Sequence, residues 1–513
     1  MENQAAGKSK GEASVPTKQI GVSRPALPLT DLPTPEEVFN KPKINGKELI
    51  TCVLGPSMIA LGVSIGSGEW LLGPLAFGKF GFLGLGWLIT MSALLQTFYN
   101  VENARYTLAT GEVPIVGFTR TPPGLNFWVF TTLICIFMSN LWGGWATTAG
   151  QSLFTLFTGR QLDVKSPTEL EIVRMIAIGL MALSLGIYLI GKKISRTLEI
   201  IDTTLIFFIL GTLVILAVIY APGSLWTTML ASSVTPGVPP KGIDATTLGS
   251  IIGYTGCASG LNFFLINYYR DHGYGMGSKV GFFSGIFGGQ KQDVLPSGVT
   301  FPESEKNTKI WKRWFRYLVI DQWVVFFIGA MIGMFIPSTL CVALTKLPGA
   351  GVPSIANIPV YVAVEMSKIS SFFFPFILLL GSLILFKTQY SILEILIRNT
   401  TDAANTVSPR LRAWTAGDPR KAYYTLAILF VIVVGILIHL ALPTELLQIS
   451  ANMANLASLI FPFVLIYLNA KLPKPARATW WSIAVLLANV VFFGFFFINF
   501  LSLKMIGQPV VKF

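Results

Sequence analysis

Three small residues, Gly66, Ser67 and Gly68, interrupt a long apolar stretch of the sequence, and the acidic residue Glu69 follows them. Unwinding a membrane helix frees backbone N–H and C=O groups, which are costly in hydrocarbon unless they line a protein cavity or meet a ligand. An acidic side chain at that depth costs on the order of 2.5–3.5 kcal/mol, so it usually pairs with a charge or titrates. The stretch 66–69 therefore predicts a polar binding site inside a membrane.

A second apolar stretch, 245–269, has a similar cluster of small residues in its middle. The residues of this stretch that we assign to the site are Cys257, Ala258, Ser259, Gly260 and Asn262. Interrupted helices at matching positions of two repeats are the best sequence indication of a transporter's substrate site. Close packing of helices at small residues is the alternative explanation for either cluster taken alone.

The composition indicates a polytopic membrane protein. Of the 513 residues, 52% are hydrophobic and 12% are charged, whereas a soluble domain carries about 25% charged residues. A spanning helix needs roughly 20 apolar residues. Eleven stretches fit this requirement, namely 49–77, 82–104, 125–156, 171–190, 197–220, 245–269, 317–344, 370–397, 422–440, 443–468 and 479–503.

The interrupted stretches are the first and the sixth, which is the spacing expected of two inverted repeats of five helices. The predicted repeats cover 49–220 and 221–468, and 479–503 is an additional eleventh helix. Residues 1–48 are polar and rich in proline and lysine, which predicts a disordered cytosolic tail.

Basic residues predict the orientation. The N-terminal tail and the connections on its side of the membrane hold 28 of the 38 lysine and arginine residues. The positive-inside rule therefore places the N-terminus in the cytoplasm and the C-terminus on the opposite side. The net charge of +13 is explained by this topology, and no nucleic-acid partner is predicted. The connection 270–316 lacks a Walker-type motif, so energy for uphill transport would come from an ion gradient.

The region 55–111 resembles the first two helices of the Nramp family of divalent metal transporters. The matching residues are Gly55-Pro56, Gly68, Trp70, Leu94-Leu95-Gln96 and Ala109-Thr110-Gly111. Weaker similarity extends to helix 8 and helix 10. The resemblance implies an all-α membrane protein with the LeuT-type inverted-repeat (5+5) transporter fold, here with 11 transmembrane helices.

The metal-binding motifs of that family are not present. Its Asp, Pro and Asn in helix 1 fall on Gly66, Ser67 and Glu69, and its Met-Pro-His in helix 6 falls on Gly260-Leu261-Asn262. The sequence has two histidines, and both lie outside the predicted helix 6. A soft transition-metal site is therefore not expected. The stretch 65–74 also resembles amino-acid transporters of the same fold, in which the amides of the break receive a substrate carboxylate.

Two substrate classes fit these observations. A hydrated divalent cation such as Mg2+, which loses water reluctantly, would be attracted by Glu69, and we favour it from the sequence. A small zwitterionic or carboxylate-bearing solute would place its carboxylate on the amides of residues 66–68. A receptor or scaffold without transport is the third class. No enzyme is expected, because the spans lack a nucleophile–histidine–acid set, and no cofactor is predicted. The expected partners are the lipid bilayer, a small ionic or zwitterionic substrate and a coupling ion.

Further polar residues inside the spans complete the candidate set. Lys387 would either neutralise a carboxylate or replace a coupling cation, and Glu394 lies seven residues later on the same helix face. Glu394 and Arg398 would alternatively be solvated near the cytosolic interface. The remaining candidates are Asp202 and Asp321, as a proton path or as ion pairs with Arg196 and Arg316, and Asn452 and Asn455, as site residues or as interhelical hydrogen-bond donors.

Overall fold

The computed structural model describes residues 30–52, 56–58, 61, 65–140, 143–188, 194–280, 298–345, 358–415, 419–439 and 443–513. Within these ranges the chain is helical, without strands. The helices of the first half are α1 (Pro35–Phe39), α2 (Gly46–Cys52), α3 (Gly68–Leu72 and Gly73–Phe80), α4 (Gly86–Thr110), α5 (Pro114–Phe118), α6 (Leu125–Asn140), α7 (Gly144–Thr158), α8 (Pro167–Tyr188), α9 (Ile194–Tyr220) and α10 (Gly223–Val234).

Apart from short 3-10 turns, the described part of the second half contains nine further helices. These are α11 (Ala245–Gly253), α12 (Asn267–Asp271), α13 (Glu305–Ile320, Asp321–Phe327 and Ile328–Thr345), α14 (Ile358–Ser367), α15 (Phe373–Val407), α16 (Pro409–Thr415), α17 (Pro419–Leu437), α18 (Pro443–Asn469) and α19 (Trp480–Ile506). The parts Gly68–Leu72 of α3 and Asp321–Phe327 of α13 have π-helical hydrogen bonding. Single π turns in α-helices are frequent at functional sites.

Eight helices in the described ranges are long and apolar enough to cross a membrane. They are Leu125–Thr158, Pro167–Tyr188, Thr203–Tyr220, Glu305–Leu344, Phe373–Thr401, Arg420–Leu437, Leu447–Asn469 and Trp480–Ile506. Each corresponds to one of the predicted spans, and together they make the chain an integral multi-pass membrane protein.

The three other predicted spans are not among these eight helices. Residues 53–55, 59–60 and 62–64 of the first lie outside the described residues, and the sixth consists of short helices on either side of residues 254–261. The second, α4, is long but polar, because Asn100, Glu102, Asn103 and Arg105 lie on it, all buried. The membrane-long segment Leu125–Thr158 comprises α6 and α7; residues 141–142 between them lie outside the described residues, and Gly143, directly before α7, has a φ of 63°.

Two packing arrangements position the site. The long helix α15 lies along α7 and α14, and α11 packs against α18 and α19. Both broken segments are consequently surrounded by other helices and have few atoms exposed. Burial of this kind is required for irregular backbone at membrane depth.

The segment from Thr30 to Phe39 packs on the N-terminal end of α13. Leu32 is buried, its N–H donates to Asn307 Oδ1 at 3.2 Å, and Trp314 Nε1 donates to the Pro33 carbonyl at 2.6 Å. Lys306 Nζ lies 3.0 Å from Asp31 Oδ2. This part of the tail predicted to be disordered is therefore structured, and residues 1–29 lie outside the described residues.

We expect acid to release this segment. Hydrogen bonds from the Lys306 ammonium and from Asn307 lower the pKa of Asp31, and bonds from the Thr34 amide and hydroxyl lower the pKa of Glu37. A carboxylate with a lowered pKa stabilises the fold above its ordinary pKa and loses that contribution as the pH falls through the folded value. Amide hydrogen exchange of residues 30–40, corrected for its intrinsic pH dependence, should be constant from pH 7 to 5 and should accelerate below about pH 4.

The variant Asp31→Asn provides the comparison at constant pH. It should accelerate exchange of residues 30–40 a few-fold at pH 7, in keeping with the small effects of exposed ion pairs. If exchange at residues 30–40 is as slow in Asp31→Asn at pH 7, and in the wild-type protein at pH 3.5, as it is in the wild-type protein at pH 7, the acidic side chains do not hold this segment.

Candidate functional site

The break in the first predicted span is closed by the acidic residue next to it. The Gly66 N–H donates to Glu69 Oε2 at 3.0 Å, and the Trp70 N–H donates to the Gly66 carbonyl at 2.9 Å. The Glu69 side chain is buried, with 1% of its surface exposed. Its Oε1 makes no hydrogen bond to any residue that the structure describes. Glu69 thus caps the start of the π turn with one carboxylate oxygen, and the backbone amide of Gly256 in the sixth span also faces its carboxylate.

Glycine is required at this break because two neighbouring segments approach it closely. A Cβ on Gly66 would lie 2.4 Å from Thr388 Oγ1, and a Cβ on Gly68 would lie 2.3 Å from the Tyr254 carbonyl oxygen. Thr388 Oγ1 also donates to the Ile65 carbonyl at 3.2 Å. The small residues therefore bring α15 and the broken sixth segment into contact with the break in the first.

The break in the sixth span covers the residues between α11 and the 3-10 turn Asn262–Phe264. Gly256 and Gly260 have φ values of 78° and 74°, a region that favours glycine. The freed carbonyls are satisfied by side chains of α4. Gln96 Nε2 donates to the Thr255 carbonyl at 2.5 Å, and Tyr99 OH donates to that of Gly260 at 3.0 Å. Asn262 Nδ2 donates to Gln96 Oε1 at 3.0 Å, so this predicted residue also belongs to the polar network of the break.

The asparagines of α18 attach that helix to the broken segment. Asn452 Nδ2 donates to the Thr246 carbonyl at 2.9 Å, and Asn455 Nδ2 donates to that of Gly249 at 3.0 Å. Asn455 Oδ1 accepts a hydrogen bond from Ser259 Oγ at 2.7 Å. These contacts are the interhelical hydrogen bonds that the sequence offered as the alternative role of both asparagines.

A small cavity lies beside the two breaks. The cavity has a volume of about 40 Å3, counted as the space open to the centres of water molecules. One water molecule needs roughly 10–15 Å3 of such space, so the cavity has room for a few water molecules. Its walls are mostly apolar, and they consist of Ser67, Gly68, Asn140, Trp145, Tyr254, Cys257, Ala258, Leu261, Leu265, Thr388, Ile392, Ile395 and Leu396. Trp145 and Tyr254 stack with ring centroids 5.7 Å apart. Ser67 Oγ is buried and makes no hydrogen bond to a described residue.

Some of the predicted site residues line the cavity, and others do not. Ser67, Gly68, Cys257 and Ala258 line it. The other predicted residues at the breaks do not; these are Gly66, Glu69, Ser259, Gly260, Asn262, Asn452 and Asn455. The aromatic wall was not predicted from the sequence, although Trp145 directly follows the Gly143-Gly144 pair in the third predicted span.

Lys387 lies next to the cavity residue Thr388 and is completely buried. Its positive charge interacts with the Glu69 carboxylate. The Glu69 carboxylate of α3 is thus bound by the Gly66 amide and is also under the influence of the Lys387 charge on α15.

Glu394 belongs to a different group of charges. Arg398 Nε donates to Glu394 Oε1 at 2.5 Å, and Arg398 Nη1 donates to Asp271 Oδ2 at 2.5 Å. The hydroxyl of Tyr268 also donates to Glu394. All four side chains are buried, with at most 4% of the residue surface exposed. The prediction that Glu394 and Arg398 are solvated is corrected here, because α12 covers this face of α15 and supplies Asp271.

The two remaining acidic residues are described to different extents. Asp321 is buried in the π turn of α13 and accepts a hydrogen bond from Tyr269 OH. Arg316, its predicted ion-pair partner, is exposed. The backbone of Asp202 is part of α9, and its side chain lies outside the described residues.

The described part of the chain has no group of three or more histidine, cysteine, aspartate or glutamate side chains that is arranged to hold a metal ion. The Cys257 thiol is not in a disulfide and is the only sulfur in the cavity lining. The described lining therefore offers hydroxyl, amide, thiol and apolar groups, and it includes no acidic side chain.

Comparison of the sequence with protein-family models and with curated proteins gives no match. Solved structures do match. A manganese transporter of Eremococcus coleocola, as a histidine-to-alanine mutant, is 15% identical with a TM-score of 0.61, over 92% of this chain and 91% of that chain.

Two other transporters match at lower TM-scores. Mhp1, a nucleobase-cation-symport-1 family transporter with bromovinylhydantoin bound, is 13% identical with a TM-score of 0.51, over 84% of this chain and 80% of that chain. MhsT in complex with L-phenylalanine is 15% identical with a TM-score of 0.51, over 88% and 98%. At these identities the similarity concerns the fold, and it establishes that this integral membrane protein has the LeuT-type fold seen in these transporters.

Proposed function

We propose that this protein is a secondary transporter, a divergent relative of the Nramp family, that carries a small organic solute. The observation that supports this most is the cavity, which joins Ser67 and Gly68 of one break to Tyr254, Cys257 and Ala258 of the other. Transporters of this architecture bind substrate between discontinuous helices near the middle of the membrane. The eleven-helix count, the two repeats and the cytoplasmic N-terminus are parts of the same proposal.

The lining favours an organic solute over a metal ion. Ligand sites for small molecules are mostly apolar, with a few polar groups that fix orientation. The Ser67 hydroxyl is such a group, because its oxygen is buried without a partner among the described residues. The stacked pair Trp145 and Tyr254 offers an apolar wall for the body of the solute. An amino acid or a similarly small polar molecule fits this combination.

Glu69 restricts how such a solute binds. Its carboxylate accepts a hydrogen bond from the Gly66 amide, and a substrate carboxylate would have to compete for that amide. A solute with an ammonium group would instead gain an attraction to Glu69, which Lys387 partly offsets. We therefore expect neutral or zwitterionic solutes to bind better than anions.

A hydrated divalent cation such as Mg2+ is the second candidate, and one observation favours it. Oε1 of Glu69 is buried and has no donor in the described part of the structure. A cation that keeps most of its water needs only one or two carboxylates. This substrate would have to displace the Gly66 amide or approach from the other side of the carboxylate.

Calorimetric titration of the purified protein tests these candidates. We expect heat of binding from a member of a panel of neutral and zwitterionic amino acids, in the presence of a chelator. Ser67→Ala should weaken that binding by about 2- to 13-fold, as expected for one hydrogen bond. Ser382→Ala is the matched control, because Ser382 is buried in α15 and does not line the cavity.

Other results would select other functions. Binding of Mg2+ that disappears in Glu69→Gln would establish the cation transporter and overturn the organic solute. Binding of a solute without uptake into proteoliposomes would indicate a receptor. Binding of Mn2+ that is unaffected by Glu69→Gln would mean that the assignment of the break in helix 1 is wrong.

A further inference from the structure

A second polar cluster lies away from the cavity, around Asp321. Asp321 and Gln322 are in the π turn of α13 and have 0% and 2% of their surfaces exposed. Gln322 Nε2 donates to Tyr269 OH at 2.8 Å and to Ser57 Oγ at 3.1 Å. Asn100 Nδ2 donates to Gln322 Oε1 at 2.9 Å. The cluster thus joins the first predicted span, α4, α12 and α13.

Two oxygens in this cluster have no hydrogen-bond partner among the described residues. They are Asp321 Oδ1 and Asn100 Oδ1, both on buried side chains. The other Asp321 oxygen accepts from Tyr269 OH, and the Ser57 hydroxyl and amide face the same carboxyl group. Buried polar atoms without partners are rare in native proteins and require an explanation such as a bound ion.

Among the residues that the structure describes, no positive charge forms an ion pair with Asp321. Arg105 of α4 pairs with Glu102 at 2.9 Å, and Arg270 of α12 contacts Asp271 at 3.3 Å. Arg316 of α13 is exposed, and residues 51–65 of the first span contain no charged side chain. An ionised carboxylate buried without a counter-charge costs several kcal/mol. A single positive charge taken from solution would balance it, whereas a divalent ion would leave an excess charge.

We infer that Asp321, Asn100, Ser57 and Tyr269 bind one monovalent metal cation of the sodium type. All four residues present oxygen atoms, the ligand type preferred by hard cations. The site is distinct from the substrate cavity, since none of these residues lines it. A bound cation would hold the first predicted span and α12 against α4 and α13. Its role as the coupling ion rests on the proposed transport function, but its binding does not.

Tryptophan fluorescence of the purified full-length protein tests the cation site without any substrate. Trp323 is two residues from Asp321 and stacks edge-on against Phe98, with centroids 5.1 Å apart. Titration with NaCl, against choline chloride at constant ionic strength, should give a saturable change that is absent in Trp323→Phe. Asp321→Asn should abolish the saturable change, and Glu69→Gln should retain it.

A second variant tests the cation site independently, in case Asp321→Asn does not fold. Asn100→Ser removes one ligand oxygen and keeps the carboxylate, and we expect about tenfold weaker sodium binding with saturation retained. An undiminished sodium response in Asp321→Asn would overturn the inference. The absence of a sodium response, together with a pH-dependent signal that Asp321→Asn removes, would also overturn it and assign a proton to Asp321. If no solute of the panel binds in calorimetry, the proposed function fails, but the outcome of the sodium titration still stands.

Discussion

Replacement of Gly260 by alanine is expected to prevent assembly of the fold around the sixth span. Gly260 has φ +74°, where an L-residue is strained, and a Cβ there would lie 2.0 Å from the Ser458 backbone nitrogen. Backbone atoms of α18 cannot move away without breaking the Asn455 contact with Ser259. Strain and overlap together should cost more than about 3 kcal/mol. Thermal unfolding of the detergent-purified protein measures the effect.

Gly211→Ala is the matched control for this variant. Gly211 lies in α9, and a Cβ there would meet no atom within 4 Å. The alanine should be neutral or stabilising by up to about 1 kcal/mol, because it favours the helix. A Gly260→Ala protein that unfolds at the wild-type temperature would contradict the irregular backbone that we describe at the break.

The second large effect is expected for Arg398→Met. This substitution removes the guanidinium that lies 2.5 Å from the buried carboxylates of both Glu394 and Asp271; Asp271 keeps its contact with Arg270, whereas Glu394 loses its ion-pair partner. Removal of one member of a buried ion pair typically costs 3–5 kcal/mol. The unfolding midpoint should therefore fall strongly, and Arg398→Lys should rescue it only in part, because an ammonium cannot reproduce the planar guanidinium geometry.

An exposed ion pair provides the comparison for Arg398. Arg160 lies 2.6 Å from Glu169, and 57% of its side chain is exposed. Arg160→Met should leave the unfolding midpoint almost unchanged, because an exposed ion pair contributes little to stability. Adding Glu394→Gln and Asp271→Asn to Arg398→Met should recover part of the lost stability. Equal effects of Arg398→Met and Arg160→Met would argue against a buried charge cluster.

Much of the architecture follows from the sequence, because apolar length is a strong signal. The eight membrane-long helices lie in predicted spans, and the breaks at 66–68 and 256–260 occur where small residues cluster. Both features depend only on local composition: helices need apolar length, and irregular backbone needs glycine. The LeuT-type fold was likewise accessible from the spacing of the breaks and the resemblance of residues 55–111.

The orientation of individual side chains could not be predicted as well from the sequence. The role of Glu69 towards a substrate stays a prediction, but the sequence did not indicate that its Oε2 bonds to the Gly66 amide three residues earlier. Arg398 and Glu394 were expected near solvent, but α12 covers them with Asp271. Trp145, Tyr254 and Thr388 come from segments far apart in the chain. Which side chains share a cavity is decided by the packing of distant helices, which no local pattern encodes.

The most direct test of transport through the cavity uses the thiol of Cys257. After calorimetry has identified a solute, its uptake into proteoliposomes is measured before and after treatment with methyl methanethiosulfonate, a small neutral thiol reagent. Cys257 lines the cavity together with Ser67 and Gly68, so a methylthio group added there should occupy the solute site. We expect the reagent to abolish uptake by the wild-type protein and the solute to slow the modification. Cys257→Ser should transport before and after treatment. Full uptake by protein in which mass spectrometry shows complete modification of Cys257 would contradict the cavity as the route of transport.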